Sequence, residues 1–328
     1  MSLPPLPTWL EPLGHGIYAI DTGFERPLFD AAYLIVENGR AAFVDTGPNA
    51  ALPRLLGALA HAGVAPAAVD HVIVTHVHLD HAGGAGLLMQ QLAHARLVVH
   101  PRGARHMIDP GALLDGARAV YGADEIARNY GEVQPVPAER VLESRDGLVL
   151  ELAGRPLELI DTPGHARHHH CVWDAASRGW FTGDTFGLSY PECEAPRGRY
   201  LLPTTSPVQF EPQALRRSVE RMLERDPACM YLTHYGRVTE VPRLATLLLE
   251  QLDAMVALAR PLAAAPERHA RLRAALAALY RERLRAQGST LSDVAIDALL
   301  AIDVELNAQG LAVWLDRPAP TASGTAPR

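Results

Sequence analysis

The sequence predicts an α/β fold followed by a helical C-terminal extension. Short β-rich segments closed by Gly, Asn or Asp fill residues 16 to 47. Helix-period segments then alternate with apolar strands up to residue 100, and again from 147 to 236. Beyond residue 241 only helical periodicity remains. With 328 residues, 48% of them apolar and 20% charged, the chain is long enough for one large domain and an appendage.

The first half begins with the predicted strands "GIYAIDTG", "AAYLIVENGR" and "AAFVDTG". The segment "NAALPRLLGALAHAGV" has apolar residues at helical spacing, ends after Gly63, and precedes the buried strand "VDHVIVTH". The same pairing recurs as "GAGLLMQQLAHA" and "RLVVH". Residues 102 to 138 interrupt this alternation, and Pro110 and Pro135 bound one or two helices there. We therefore expect a helical insertion over one face of the fold.

The second half repeats the alternation before it becomes purely helical. Strand patterns occur in "GLVLELAGRPLELIDTPGH", "HHCVWDAASRGWFTGD" and "CMYLTHYG", and the helix "PQALRRSVERMLE" precedes the last of them. Of three later helical segments, the last two are predicted to end at Gly288 and Gly310, because glycine favours helix C-termini. The predicted organisation is a main domain over residues 1 to 240, a helical extension over 241 to 316 and a disordered tail over 317 to 328.

Charge and composition restrict the possible partners. The formal net charge of -7 disfavours nucleic acid, which usually requires a basic surface, and favours a small-molecule substrate. The first residues lack a basic segment followed by an apolar one, and no long uncharged apolar stretch occurs. We expect a cytoplasmic protein without a membrane segment. Cys171, Cys193 and Cys229 show no CxxC spacing, so they are interpreted as buried small residues rather than as zinc ligands.

A cluster of potential metal ligands occupies residues 75 to 81, "THVHLDH", directly after an apolar run. On a strand, residues two apart face the same side, so His76 and His78 are expected to reach one ion together. Asp80 and His81 follow where the chain turns toward the next helix. Imidazole and carboxylate ligands without a thiolate suit zinc, iron or manganese and leave positions open for water. The sequence therefore predicts a metal site.

The segment "HVHLDH" resembles the HxHxDH signature of the metallo-β-lactamase superfamily. Later strand ends match the family's remaining ligand positions in order: "TPGH" places His165, "FTGD" places Asp184 and "LTHYG" places His234. The upstream "VDTG" places Asp45 where the family has an aspartate that orients a ligand histidine. The resemblance covers roughly residues 14 to 240. It implies a four-layer αβ/βα metallo-β-lactamase sandwich that carries the C-terminal helical extension.

The resemblance also implies a dinuclear centre with two divalent metal ions. Zinc is the first choice, and iron or a mixed iron/zinc pair fits the same ligands. Its ligands would be His76, His78 and His165 for one ion, Asp80, His81 and His234 for the other, and Asp184 as a bridge. His169 is expected next to this ligand shell, or alternatively to serve only packing.

Substrate-contacting residues are less certain from the pattern. The loops after the later strands carry Tyr190, Thr204, Thr205 and Phe210, which either line a substrate pocket or only shape its rim. The arginine-rich segment "RHARLRAALAALYRERLR" favours a solvated helical face over a site for an anionic substrate. The helices after residue 241 either cover the mouth of the site or form a homodimer interface.

The resemblance implies a hydrolase in which a metal-bound hydroxide attacks an ester, thioester or lactone of a small molecule, with Asp80 as the catalytic proton carrier. An aspartate at position 184 is more similar to the glyoxalase II and lactonase branches than to the true β-lactamases. Two alternatives remain: iron-dependent sulfur or oxygen chemistry, and a ligand-binding or regulatory protein with a vestigial site. Phosphodiester cleavage is less favoured.

Overall fold

A computed structural model describes residues 6 to 205 and 208 to 317. The strands are β1 (Leu10–Gly14), β2 (Ile17–Asp21), β3 (Ala31–Glu37), β4 (Arg40–Val44), β5 (Val69–Ile73), β6 (Arg96–Val99), β7 (Val141–Glu143), β8 (Leu148–Leu152), β9 (Arg155–Asp161), β10 (His170–Asp174), β11 (Gly179–Phe181), β12 (Cys229–Leu232) and β13 (Gly236–Val238). The α-helices are α1 (Leu52–His61), α2 (Leu79–Ala82), α3 (Ala85–Gln91), α4 (Pro101–Ile108), α5 (Gly111–Tyr121), α6 (Ala123–Tyr130), α7 (Pro212–Leu223), α8 (Val241–Ala259), α9 (Arg268–Ala286), α10 (Asp293–Leu299) and α11 (Ala301–Asp316).

The strands form two sheets. The first has the order β1-β2-β3-β4-β5-β6-β7, antiparallel as far as β4 and parallel from there on. The second has the order β13-β12-β11-β10-β9-β8, in which only β11 and β12 pair in parallel. Parallel strands end at the same edge of a sheet, so the loops that leave β4, β5 and β12 are brought to one side of the molecule.

Three hydrophobic cores hold the layers together. Between the two sheets, Tyr33 of the first packs with Phe181 and Tyr231 of the second at ring-centroid distances of 5.2 and 5.7 Å. Helices α1, α3 and α4 cover the outer face of the first sheet, and α7 to α11 cover the outer face of the second. The layers are therefore ordered helix, sheet, sheet and helix, and the predicted four-layer αβ/βα sandwich is confirmed.

The insertion and the cysteines follow the predicted outline. The segment from 102 to 138 contains the end of α4 together with α5 and α6, and the last two lie between Pro110 and Pro135, where one or two helices were predicted. None of the described side chains of α5 is buried, so this helix lies on the outside of the fold. Cys171, Cys193 and Cys229 are buried and unpaired, as expected from their spacing.

The last helix differs from the prediction that it ends at Gly310. The predicted segment divides at Leu300 into α10 and α11, and α11 continues through Gly310 to Asp316. Leu311 is fully buried against the core of the second sheet. Burial of a leucine side chain is worth roughly 1.5 to 3 kcal/mol, which exceeds the penalty of about 1 kcal/mol for glycine inside a helix. By contrast, α9 ends at Ala286 and Gly288 follows in the left-handed region with φ +88°.

Helices α8 to α11 share one hydrophobic core with the second sheet. Arginines of α9 form ion pairs with acids of α10 and α11, among them Arg281 with Asp297 at 3.0 Å and Arg285 with Asp293 at 2.5 Å. These pairs agree with the interpretation of a solvated helical face. The boundary at residue 240 remains a prediction, and of the predicted tail only Arg317 lies within the described residues.

Among the residues that the structure describes, no single helix is long and apolar enough to cross a bilayer. The pair Asp293–Leu299 and Ala301–Asp316, bent by 64°, meets the criteria by length and composition only.

A buried ion pair joins the two sheets far from the ligand cluster. Arg155 at the start of β9 donates to both carboxylate oxygens of Asp174 at the end of β10, at 2.8 and 2.6 Å. It also donates to the His15 carbonyl in the turn between β1 and β2, at 2.6 Å. Side-chain exposure is 4% for Arg155 and 0% for Asp174. Removing Asp174 would leave the buried Arg155 charge with Glu37, at 3.5 Å, as its remaining ion-pair partner among the described residues.

We expect Asp174→Ala to lower the free energy of unfolding by about 3 to 5 kcal/mol, measured by denaturant unfolding. The matched control is Asp253→Ala, which removes an ion pair of 2.6 Å to Arg216 in which the aspartate is 72% exposed, and it should change stability little. Equal effects of the two substitutions would contradict the role assigned to the buried pair.

Candidate metal centre

The first pair of histidines lies in a loop, not on a strand. β5 ends at Ile73, and His76 and His78 follow in non-strand backbone, so the expectation that strand alternation aligns them is wrong. The loop still turns Val77 into the core of the first sheet, where its side chain is fully buried. Burial of Val77 thus places the two imidazoles on the opposite side, 2.8 Å apart between Nε2 of His76 and Nδ1 of His78.

A single turn of helix, α2, carries Asp80 and His81. The chain then passes directly beneath the loop that follows β4. A Cβ atom on Gly84 would lie 2.9 Å from the Pro48 carbonyl oxygen, which is closer than such contacts allow. Glycine at this position therefore lets α2 approach the end of β4, where Asp45 lies.

The remaining candidate ligands come from the second sheet. His165 follows β9, Asp184 follows β11 and His234 follows β12. Nε2 of His165 lies 3.1 Å from Nδ1 of His78 and 3.4 Å from Oδ2 of Asp184. Nε2 of His234 lies 3.4 Å from Oδ2 of Asp80 and 3.7 Å from Oδ1 of Asp184. The cleft between the sheets thus brings all seven predicted ligand residues together.

Their donor atoms form three overlapping groups, each within 4.8 Å. These groups are His76, His78 and His165; His76, His81 and Asp184; and Asp80, His81 and His234. The first and last match the two ligand sets implied by the family resemblance, and the second links them through Asp184. Donor atoms this close together, from imidazoles and carboxylates alone, fit divalent cations such as zinc or iron.

Hydrogen bonds fix the tautomers of three of the histidines. Nδ1 of His81 lies 2.8 Å from a carboxylate oxygen of Asp45, and Nδ1 of His234 lies 2.9 Å from the Phe29 carbonyl. Nδ1 of His165 lies 3.4 Å from the Thr204 carbonyl. Because these acceptors require a proton on Nδ1, each ring presents the lone pair of Nε2 to the cluster.

Asp45 anchors this arrangement. Its carboxylate accepts from the Thr75 amide at 2.7 Å, from the Thr75 hydroxyl at 2.9 and 3.0 Å, and from the Thr233 hydroxyl at 2.9 Å, in addition to His81. Thr75 follows β5 and Thr233 follows β12, so one buried side chain joins both sheets. Asp45 itself has φ +56°, a left-handed conformation that aspartate and asparagine tolerate better than most residues.

Electrostatics divide the cluster into three neutral imidazoles, ionised carboxylates, and the imidazoles of His81 and His234, whose pKa values are raised. Burial lowers the pKa of His76, His78 and His165, so these rings are neutral at pH 7. Burial opposes ionisation of Asp184, yet the charge of His81 holds its pKa well below its usual range. Burial would lower the pKa of His81, but Asp184 and Asp80 outweigh it and raise that pKa well above the usual value. The proton that the carboxylates stabilise on His81 occupies the place where a cation would supply the same charge.

Two buried atoms fit a bound cation. Nε2 of His81 and Oδ1 of Asp184 lie 3.1 Å apart but without hydrogen-bond alignment, and neither has another hydrogen-bond partner among the described residues. Unsatisfied buried polar atoms are costly unless a ligand meets them. The residues present therefore fit divalent metal, with His81 and Asp184 facing the same point.

His169 lies beside the ligand shell. Its Nδ1 is 2.8 Å from the Thr162 hydroxyl, and its Nε2 accepts from the Asp184 amide at 3.3 Å. Gly183 has φ +47°, and a Cβ atom there would lie 2.6 Å from Nε2 of His169. This glycine lets the Asp184 main chain approach the ring closely. His169 thus holds the segment that presents Asp184, whereas its neighbour His168 faces the cavity described next.

A cavity of about 270 Å³ opens over the cluster. Asp80, Asp184 and His234 lie at its base. Its walls are mainly apolar and come from the insertion and from the last helix. They include Leu113, Ala117 and Val120 of α5, and Ile302 and Leu306 of α11. Such a cavity suits a small, largely apolar molecule held with one end against the cluster.

Three of the four predicted pocket residues line this cavity: Tyr190, Thr204 and Thr205. Phe210 does not line it; the ring is fully buried in the core, 6.4 Å from the Trp314 ring. Its apolar character between two loop prolines made it resemble a pocket residue, but the same character is satisfied by packing.

Sequence reasoning missed several other lining residues, notably His168 on the wall and Asp303 on α11. Burial lowers the pKa of His168 to about 3, so the ring is neutral. For Asp303 a signal exists in retrospect, because it is a single carboxylate within the otherwise apolar stretch "ALLAIDV". For α5 no signal exists, because its position over the site depends on tertiary packing.

Comparison with known proteins gives a family match over most of this region. The model of the metallo-beta-lactamase superfamily matches residues 26 to 234. A solved structure of an archaeal protein of that superfamily, ST1585 from Sulfolobus tokodaii, superposes with a TM-score of 0.62 at 22% identity. The superposition covers 90% of this chain and 98% of that one, and it shows that the two share a fold.

Curated relatives match at modest identity. The metallo-beta-lactamase fold-containing protein ST1585 of Sulfurisphaera tokodaii is 28% identical over 188 residues, or 56% of this chain and 66% of the relative. Acyl-coenzyme A thioesterase MBLAC2 of Gallus gallus is 30% identical over 191 residues, 53% of this chain and 64% of the relative. The atrochrysone carboxyl ACP thioesterase of Aspergillus fumigatus is 27% identical over 172 residues, or 52% of this chain and 40% of the relative. Each match spans less than two thirds of the relative.

We expect Asp45→Asn to weaken zinc binding about 10- to 100-fold, because it removes the charged acceptor that orients His81. Asparagine tolerates the left-handed backbone of this position, so the fold should persist. Competition with a chromogenic chelator measures the affinity. The control is Asp70→Asn on β5, where the carboxylate pairs with Arg40 on the neighbouring strand. Wild-type zinc affinity in Asp45→Asn would contradict the orienting role.

Proposed function

The chain belongs to the metallo-β-lactamase superfamily, and from this premise we propose that it hydrolyses an ester-type bond of a small molecule at a dinuclear metal centre. Metal-dependent hydrolysis is the general activity that the family and its thioesterase-named relatives support. To this general activity we add that the centre holds two ions, that the bond cleaved is of the ester type, and that seven named side chains are the ligands.

One observation carries the proposal: seven imidazole and carboxylate side chains converge at the base of an apolar cavity. His76, His78 and His165 would hold one ion, and Asp80, His81 and His234 the other, with Asp184 between them. A structural cluster would be closed, but here Asp80, with a side chain 25% exposed, faces the cavity. Catalytic metal sites differ from structural ones in keeping such an open side.

When bound, two divalent cations lower the pKa of a shared water and polarise the acyl oxygen of a substrate. The chain itself supplies the base. Burial opposes ionisation of Asp80, but His81 and His234 hold its pKa below the usual range, so its carboxylate can take a proton from the attacking water. The water oxygen bonds to the acyl carbon, the bond from that carbon to the leaving group breaks, and the proton passes from Asp80 to the leaving atom. Leu113, Val120 and Leu306 provide apolar wall for the acyl part of a substrate.

A thioester is the substrate class that we favour within esters, thioesters and lactones. Two relatives carry the names of thioesterases, one for acyl-coenzyme A and one for an acyl carrier protein. The apolar walls suit an acyl chain. The thiolate is also a good leaving group, which needs no residue beyond Asp80 to protonate it.

Purified protein should contain about two metal ions per chain, and removing them with a chelator should abolish cleavage. The test combines elemental analysis with turnover of matched thioesters, esters, lactones and phosphodiesters, before and after zinc is restored. Full turnover in the metal-free protein would overturn the proposal. Iron without cleavage of any substrate would favour the redox alternative.

Asp80→Asn should lower kcat by about 100-fold or more while retaining most of the metal, since the amide oxygen still coordinates but cannot accept the proton. Steady-state kinetics and metal content are measured on the same sample. Asp70→Asn serves again as the control, because its carboxylate lies at the opposite end of β5 from the ligand loop. Unchanged kcat in Asp80→Asn would exclude Asp80 as the proton carrier.

A further inference from the structure

The cavity contains one carboxylate that the proposed hydrolysis does not use. Asp303 lies in the first turn of α11 and lines the cavity together with Ile302 and Leu306. It is 6% exposed, and no described cation forms an ion pair with it. All its neighbours on the cavity side of α11 are apolar, so this is an acidic group in an otherwise apolar wall.

One oxygen of Asp303 is held and the other is not. The Tyr190 hydroxyl donates to Oδ1 at 3.1 Å. Oδ2 is buried and accepts a hydrogen bond from no other described residue. A buried acceptor without a donor costs free energy of folding, so a ligand group that donates a hydrogen bond to Oδ2 would recover part of this cost.

Tyr190 fixes the direction of this carboxylate relative to the metal cluster. The Phe29 ring lies between Tyr190 and His234, with its centroid 5.3 Å from each of the two rings. Arg26 covers the Tyr190 ring at 4.4 Å and pairs with Glu192 at 3.1 Å, and it forms no ion pair with Asp303. Asp303 is therefore held on the same wall as His234, one aromatic ring further from the base.

The pKa of Asp303 is consistent with a carboxylate whose second oxygen receives no hydrogen bond. Burial raises the pKa of Asp303 to about 6, against the opposing effect of the Tyr190 hydrogen bond. A raised pKa means that the folded state disfavours the ionised form, and so the carboxylate reduces stability at neutral pH.

We propose that Asp303 selects substrates whose apolar part carries a hydrogen-bond donor, a hydroxyl or an ammonium group, which binds Oδ2 while the scissile acyl group lies at the metal cluster. This inference rests on the proposed function and names its substrate class. Asp303 is a specificity residue: it contacts the distal part of the substrate and takes no part in bond cleavage. A hydroxyl and an ammonium group share this chemistry and differ in charge.

The test uses the metal-loaded full-length chain and N-acetylcysteamine thioesters of hexanoic acid, either plain or with a hydroxyl or ammonium group on the third or the sixth carbon. We expect wild type to favour one donor-bearing thioester over the plain one by about tenfold in kcat/KM. The Asp303→Asn and Asp303→Leu variants should lose this preference, measured in each variant as the ratio of kcat/KM for the donor-bearing thioester to kcat/KM for the plain one. Preference for the ammonium compound identifies a charged acceptor, and preference for the hydroxyl compound a neutral one.

The matched thioethers, which have no acyl carbon to attack, give a second measurement that does not depend on hydrolysis. Donor-bearing thioethers should raise the Tm of wild type more than the plain thioether does, and this difference should vanish in both Asp303 variants. The control is Asp297→Asn, an aspartate of α10 that pairs with Arg281 on the outer surface and should keep both preferences.

The outcomes are distinguishable. If wild type cleaves none of the thioesters, the proposed function fails in its thioester form, and the thioether measurement still decides the role of Asp303. Equal treatment of donor-bearing and plain ligands by wild type overturns the inference. So does a lower Tm of Asp303→Asn with unchanged preference, because that result assigns the carboxylate to the fold alone.

Discussion

The carboxylate of Asp45 is the contact on which the site depends. It accepts hydrogen bonds from the segment after β5, from α2 and from the segment after β12, and so fixes three of the segments that carry candidate ligands. A buried carboxylate is stable only when its oxygens are fully hydrogen-bonded, and here five contacts do this. The two sheets are therefore aligned by a polar contact at the site as well as by the apolar core between them.

The fold and the convergence of the seven candidate ligands could be predicted because both depend on local sequence patterns. Apolar strands that end in "THVHLDH", "TPGH", "FTGD" and "LTHYG" place ligands at strand ends, and parallel pairing brings those ends together. The prediction that a strand aligns His76 and His78 is nevertheless wrong. β5 ends before them, and burial of Val77 orients the two rings where a strand was expected to do so.

The substrate cavity could not be predicted to the same extent, because its walls come from segments far apart in sequence. Leu113 and Leu306 line the same cavity only because the insertion and the last helix both pack beside it. Phe210 and Asp303 are two residues whose positions could not be predicted from their sequence surroundings. An aromatic residue in a loop near the site is used in the core, and an acid within an apolar helix faces the cavity. Composition indicates that a residue is unusual for its surroundings, but only the fold determines which surface it meets.

The exposed position of α5 has a consequence for how this fold can diverge. None of its described side chains is buried, yet five of its residues line the cavity: Ala112, Leu113, Gly116, Ala117 and Val120. Substitutions there alter the shape offered to a ligand at little cost in stability, since surface positions tolerate change better than packed ones. The metal ligands, by contrast, are held by a frame in which almost every neighbour is buried. Descendants of such a chain can change the shape of the cavity through α5 while the candidate metal centre stays constant.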